Sequence, residues 1–122
     1  MTLHVGLGTF AGLTEENFNN NSLHEETYKV DKDNLEKIYS ASHITTVGTT
    51  TTRTLESITV QGLTLYSNKS GVSGSTDIFI QPGYDFKTVN SMITNFHLPG
   101  TSLLLMVEAF VGSESEMSRI YE

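Results

Sequence analysis

One stretch, HITTVGTTTTRTLESI at residues 43–58, indicates the fold class. His43–Val47 is rich in β-branched residues, which favour a strand. Gly48 then provides a turn, four threonines follow, and Arg53–Ile58 has a helical pattern. A strand that leads through a glycine turn into a helix is typical of α/β proteins, so the stretch predicts an α/β fold.

The flanking sequence continues this alternation of strands and helices. Further strands are predicted near residues 3–7, 23–30, 63–66, 76–81 and 92–96. Further helices are predicted from the cap Asp31 to about Ala41, from the cap Thr101 to about Val111, and over 114–121. The stretch 68–75 is typical of a flexible Ser/Gly loop, and Gly12 with 17–21 of a polar connection. We therefore expect a mixed or mostly parallel sheet with flanking helices.

Composition restricts the class of protein. A chain of 122 residues with 37% hydrophobic content forms one domain or part of one. No apolar run approaches the roughly 20 residues of a membrane span. The absence of cysteine excludes disulfides and thiolate sites, and with no visible signal peptide it favours a cytoplasmic protein. The net charge of −7 and the seven scattered basic residues argue against a strong nucleic-acid surface on this chain alone.

The segment Ile93–Pro99 is the strongest local indication of a site. If Met92–Phe96 is a strand, alternation places Asn95 and His97 on one face and Phe96 on the other. Pro99 then ends the ladder, so the two polar side chains lie at a strand end, where α/β proteins bind ligands. The alternative is a structural role, with His97 satisfied inside a core.

The glycine turn after Val47 is a second candidate. Free amides at a helix start, together with the Thr49 and Thr50 hydroxyls, can bind an anion, a carboxylate or ribose oxygens. Arg53 can hold a carboxylate through its planar guanidinium, or it can form a surface pair with Glu56. From spacing alone, threonines that merely cap a helix and a surface ion pair are the simpler interpretations.

Other polar residues allow two interpretations each. His24 beside Glu25 can act as a general base, or the two can lie on an exposed strand edge. Asp77 is either a turn former or an acid. His4, His24 and His97 match no zinc spacing, so no metal site is assigned.

Five ordered blocks resemble the S-adenosylmethionine:tRNA ribosyltransferase-isomerase family of queuosine biosynthesis. The blocks are Leu3–Phe10, His24–Tyr28, Val47–Ser57, Thr76–Tyr84 and Ile93–Pro99, which together extend over nearly the whole chain. The resemblance implies a reaction in which S-adenosylmethionine donates its ribosyl part to 7-aminomethyl-7-deazaguanine at the wobble position of the tRNA anticodon. Methionine and adenine leave, and epoxyqueuosine forms. S-adenosylmethionine is the co-substrate, and no separate cofactor is implied.

The resemblance also suggests roles for the candidate residues. The reaction needs a base to remove a proton next to the sulfonium, and groups that hold the carboxylate and the ribose hydroxyls. His97 or His24 suits proton transfer, and Asn95 and Asp77 suit orientation. We therefore expect a catalytic group of His97, His24 and Asp77, and a substrate-binding group of Thr49, Thr50, Arg53, Asn95 and Thr9.

Departures from the family pattern concern length and basic residues. Family members have an N-terminal segment, an inserted β-barrel and an aromatic tail, so residues 1–122 are expected to be the C-terminal part of the large α/β domain. Ala11 and Gly100 stand where basic residues are usual. Three hypotheses follow: a catalytic portion that needs a partner N-terminal part, an S-adenosylmethionine-binding module without turnover, and an inactive fragment. The acidic charge favours binding without turnover for the isolated chain.

Overall fold

A computed structural model describes residues 1–5, 12–61 and 71–121 of the chain. Its helices are α1 Glu15–Asn20, α2 Lys32–Ser40, α3 Thr49–Gln61, α4 Ser102–Val111 and α5 Glu114–Ile120. Its strands are β1 Thr2–His4, β2 Ser22–Val30, β3 Thr45–Val47, β4 Val72–Ile78 and β5 Ser91–Ile93. No helix within these three ranges is long and apolar enough to cross a bilayer.

Two small sheets replace the single sheet that the sequence suggested. β1, β2 and β4 form an antiparallel sheet in the order β1-β2-β4, while β3 and β5 form a parallel pair. The α/β class and the mixed strand orientation are therefore confirmed, and the mostly parallel alternative is wrong. The strand near 43–47 is confirmed as β3, whereas the predicted strands 76–81 and 92–96 end early, at Ile78 and Ile93.

The start of β4 corrects the prediction of a flexible loop over 68–75. Val72 to Thr76 pair with β2 in a regular antiparallel register, Val72 opposite Val30 and Gly74 opposite Tyr28, and the register shifts between Glu26 and Ser22. A Cβ on Gly74 would lie 3.0 Å from the Tyr28 hydroxyl oxygen, so the glycine leaves room for the buried ring. Cross-strand packing thus overrides the weak strand propensity of Ser and Gly. Residues 68–70 and the predicted strand at 63–66 lie outside the described residues.

Two helices differ from those predicted from the sequence, and three begin as predicted. The expected polar connection at 17–21 contains most of α1, which begins with a capping box between Thr14 and Asn17. α3 begins at Thr49 rather than Arg53, and within its first turn the Thr52 hydroxyl donates to the carbonyl of Gly48 and contacts the Thr46 hydroxyl at 2.7 Å. The predicted helices starting after Asp31, Thr101 and Ser113 are confirmed with those residues as N-caps.

Two apolar clusters form the core. The first packs β2 and β4 against α2 and α3 through Tyr28, Val30, Leu35, Ile58 and Val72. The second packs α4 against the chain after β4 through Ile80, Met106 and Ala109. Among the described side chains of α3, residues 49–58, only Ile58 belongs to a cluster, so polar contacts must hold much of that buried surface.

The carboxylate of Glu56 makes the densest set of these polar contacts. It is fully buried in α3 and accepts hydrogen bonds from the Tyr84 hydroxyl and the backbone amides of Lys87, Thr88 and Val89. Burial, and then the adjacent carboxylate, raise the pKa of Tyr84, so its hydroxyl remains a proton donor. Glu56 therefore ties the segment that leads into β5 to the middle of α3.

Replacing Glu56 with Gln should destabilise the fold. Each carboxylate oxygen of Glu56 accepts hydrogen bonds from two donors. In Gln, an NH2 group replaces one of these oxygens, so two N–H or O–H groups lose their acceptor and face another donor. We expect Glu56→Gln to lower the free energy of unfolding by about 2–4 kcal/mol, measured by urea denaturation. The matched control, Glu36→Gln, removes a carboxylate that is 56% exposed and should change stability by less than about 0.5 kcal/mol. Equal stability of the two variants would contradict this role.

Candidate functional site

A cleft of about 740 Å³ opens where β3, β5 and the start of α3 meet. Its polar lining residues are Thr49, Thr50, Thr51, Thr94, Asn95, His97 and Thr101. Its apolar lining residues are Leu3, Val5, Val47, Ile93, Phe96, Leu98 and Leu103. A volume of this size lies within the range of small-molecule sites, roughly 300–1,000 Å³.

The first turn of α3 forms one polar side of the cleft. Gly48 has a φ of 95°, which favours glycine, and its amide donates to the carbonyl of Ile93 at 2.8 Å. The first N–H with an acceptor inside the helix is that of Thr52, which donates to Gly48. The amides of Thr49, Thr50 and Thr51 have no acceptor within the helix, and they lie at the positive end of its dipole. This side of the cleft suits an anionic or oxygen-rich group.

The segment after β5 forms another side. The His97 ring nitrogen Nε2 lies 2.9 Å from the Thr94 hydroxyl, and the His97 amide donates to the Tyr121 hydroxyl at 3.0 Å. Partial burial lowers the pKa of His97, so its ring is neutral at pH 7 and can accept a proton. Asn95 and His97 line the same cleft, as expected, but the opposite placement of Phe96 is wrong, because the ladder ends at Ile93 and Phe96 lines that cleft too.

Arg53 lies in the core instead of the cleft. Its side chain is 3% exposed and donates from Nη1 to Glu26 at 2.9 Å and from Nε to the carbonyl of Ile78 at 3.1 Å. Burial lowers the pKa of Arg53, while the charges of Glu26 and Asp77 oppose that shift. Neither predicted alternative, a carboxylate in the site or a surface pair with Glu56, describes this contact. Arg53 instead joins α3 to β2 and β4.

His24 and Asp77, two further predicted site residues, also lie away from the cleft. The His24 ring nitrogen Nε2 is 3.4 Å from Glu26, two residues along the strand on the same face, rather than paired with Glu25. Asp77 is exposed on β4 near Arg53, and neither His24 nor Asp77 lines the cleft. Thr9 lies outside the described residues. Among residues 1–5, 12–61 and 71–121, no group of three His, Asp or Glu is placed to hold a metal ion.

Comparison with known proteins assigns the chain to a family. The queuosine biosynthesis protein family matches residues 1–122. The chain belongs to this family. Relatives named S-adenosylmethionine:tRNA ribosyltransferase-isomerase include those of Thermoanaerobacter sp. strain X514, 49% identical over 96% of the chain and 34% of the relative. The Caldanaerobacter subterraneus subsp. tengcongensis protein is 47% identical over the same shares.

A solved structure supports the same relationship. The S-adenosylmethionine tRNA ribosyltransferase of Thermotoga maritima superimposes with a TM-score of 0.65 at 39% identity, covering 79% of this chain and 34% of that protein. The chain spans about a third of the length of the relatives it matches.

Several residues that shape the cleft of this queuosine biosynthesis family member were not predicted from the sequence. Thr51 and Thr94 line it, Phe96 was assigned to the opposite face, and Tyr121 was given no role although it bonds to His97. The threonine run after Gly48 contained the signal for Thr51. Nothing in the local pattern indicated Tyr121, because it meets His97 only through tertiary packing.

Removing the Arg53 guanidinium should weaken folding, because Glu26 then loses its buried cation. We expect Arg53→Met to lower the free energy of unfolding by about 3–5 kcal/mol in urea denaturation. The control Arg119→Met removes a side chain that is 73% exposed and pairs with Glu116, and should change stability by less than about 1 kcal/mol. A stable Arg53→Met variant would show that the Arg53–Glu26 pair does not hold α3 in place.

Proposed function

We propose that this chain contributes to S-adenosylmethionine:tRNA ribosyltransferase-isomerase activity and that its cleft holds S-adenosylmethionine. The observation that carries the proposal is the convergence of Asn95 and His97 with the first turn of α3, whose amides have no acceptor within the helix, on one cleft. These residues come from segments about 45 positions apart, and both segments belong to blocks that resemble the family. The name shared by the relatives supports the same reaction.

The polar side of the cleft is proposed to bind the oxygens of the substrate. A carboxylate or ribose hydroxyl can accept from the amides of Thr49–Thr51 and contact the threonine side chains. Arg53 takes no part, since its guanidinium is committed to Glu26 and Ile78. The amides at the helix start therefore supply the electrostatic attraction that a positive side chain was expected to supply.

His97 is the proposed base of the cleft. Its neutral ring has a lone pair that can accept the proton from the carbon next to the sulfonium, and Thr94 and Tyr121 restrain its position. His24 is less suited, because it contacts buried Glu26 and does not line the cleft. Asn95 is proposed to orient the substrate through its exposed amide.

Contact with tRNA is proposed to depend on regions beyond the matched third of the relatives. The net charge of −7 repels phosphates, and the basic residues form no continuous stripe. We propose that this chain alone binds the donor without completing the transfer to 7-aminomethyl-7-deazaguanine. The proposal involves no cofactor besides S-adenosylmethionine as co-substrate, and a tRNA-modifying role would place the protein in the cytoplasm.

Isothermal titration calorimetry with S-adenosylmethionine tests the proposal. The chain should bind, and His97→Gln and Asn95→Ala should each weaken the affinity by about tenfold, the effect of losing roughly 1.4 kcal/mol. His43→Gln is the matched control, because His43 is exposed, contacts Ser91 and does not line the cleft. Absence of binding by the unchanged chain, or equal effects of His43→Gln and His97→Gln, would overturn the proposal.

The affinity should also depend on pH through His97. Because burial lowers its pKa from the usual value of 6.5, the ring is neutral at pH 7.5 and gains a proton only on acidification below pH 6.5. A charged ring would repel the sulfonium, so the affinity should fall as the pH is lowered from 6.5 through the reduced pKa of His97. His97→Gln should remove most of this dependence. An equally steep decrease in that variant would assign the effect to another group.

A further inference from the structure

We propose that Phe96 is the residue on which the adenine ring of S-adenosylmethionine stacks. The inference rests on the proposed function, since it names the part of the cleft that holds the base. Phe96 lines the cleft and is 76% exposed, although a large aromatic side chain normally contributes its surface to a core. Exposed aromatic rings bind planar bases because every base offers a face for stacking.

The ring of Phe96 is held in place. Tyr121 meets it edge-on, with ring centroids 5.0 Å apart and an interplanar angle of 84°. The same tyrosine accepts a hydrogen bond from the His97 amide, so one residue restrains both the ring and the backbone that follows it. Because the ring is already ordered, stacking on it costs less conformational entropy than stacking on a mobile side chain would.

Two aliphatic side chains complete an apolar region. Val47 and Ile93 are paired residues of β3 and β5, are 68% and 59% exposed, and line the same cleft as Phe96. The cleft therefore has an apolar region beside a polar region that contains the helix-start amides and threonine hydroxyls. S-adenosylmethionine has a matching division, with a planar base at one end and a charged amino acid part at the other.

Phe96 and His97 are adjacent, so both side chains can contact the same nucleoside. Adjacent residues have Cα atoms about 3.8 Å apart, so their side chains reach neighbouring parts of a single ligand. With adenine on Phe96, the ribose extends toward the rest of the cleft, where His97 can meet the carbon next to the sulfonium. If the adenine bound elsewhere in the cleft, the exposed Phe96 ring would contact no part of the substrate.

The experiment measures binding of the two halves of the donor by calorimetry. The probes are 5′-methylthioadenosine, which contains the base, methionine, which does not, and the free acceptor base 7-aminomethyl-7-deazaguanine. Phe96→Leu should weaken 5′-methylthioadenosine binding by about tenfold, Phe96→Trp should retain it, and methionine binding should be unchanged in both. The matched control is Phe18→Leu, whose ring is 49% exposed, packs on Phe79 and lies outside the cleft. Thermal unfolding of each variant establishes that it is folded.

The outcomes separate this inference from the proposed function. If S-adenosylmethionine binds but Phe96→Leu leaves 5′-methylthioadenosine affinity unchanged, the stacking role is overturned and the proposed function stands. If only the affinity for free 7-aminomethyl-7-deazaguanine decreases, the ring serves the acceptor base, and the inference is also overturned. If the unchanged chain binds neither S-adenosylmethionine nor 5′-methylthioadenosine, the inference and the proposed function fail together.

Discussion

The Glu56 carboxylate, buried in α3, is the contact on which the arrangement of the cleft depends. Its four hydrogen bonds fasten residues 84–89 to the helix, and these residues lead directly into β5. β5 in turn pairs with β3, and the segment after it forms a side of the cleft. A buried carboxylate is stable only when its lone pairs are satisfied, so the geometry of this segment and the burial of Glu56 require each other.

The same helix makes polar contacts to both sheets. Thr52 bonds to Thr46 of β3, Arg53 bonds to Glu26 and to the carbonyl of Ile78, and Ser57 bonds to Thr76 of β4. Directional contacts of this kind restrict rotation and sliding of the helix more than apolar packing does. The amides of its first turn are therefore presented to the cleft in a defined orientation, which suits binding of a polar ligand.

The cleft has a polar region and an apolar region, and both follow from where α3 begins and where β5 ends. The helix start leaves amides without acceptors, and the end of β5 leaves a short segment whose side chains are not divided between two faces of a sheet. Asn95, Phe96 and His97 can therefore all face one ligand. In a regular strand, the aromatic ring would have been directed away from the imidazole. The irregular backbone thus permits an aromatic ring beside an imidazole on the same cleft.

The sequence by itself determined the α/β class, the family resemblance, most helix starts and the grouping of Thr49, Thr50, Asn95 and His97, whereas Arg53, predicted to join that group, lies in the core. These depend on local signals, namely caps, β-branched runs, a glycine turn and ordered motifs. Only the tertiary structure decided that Arg53 pairs with Glu26, that Gly74 lies over Tyr28, and that Tyr121 restrains Phe96 and His97. Such contacts join residues more than 20 positions apart, so no local sequence pattern specifies which partner a side chain meets once it is buried.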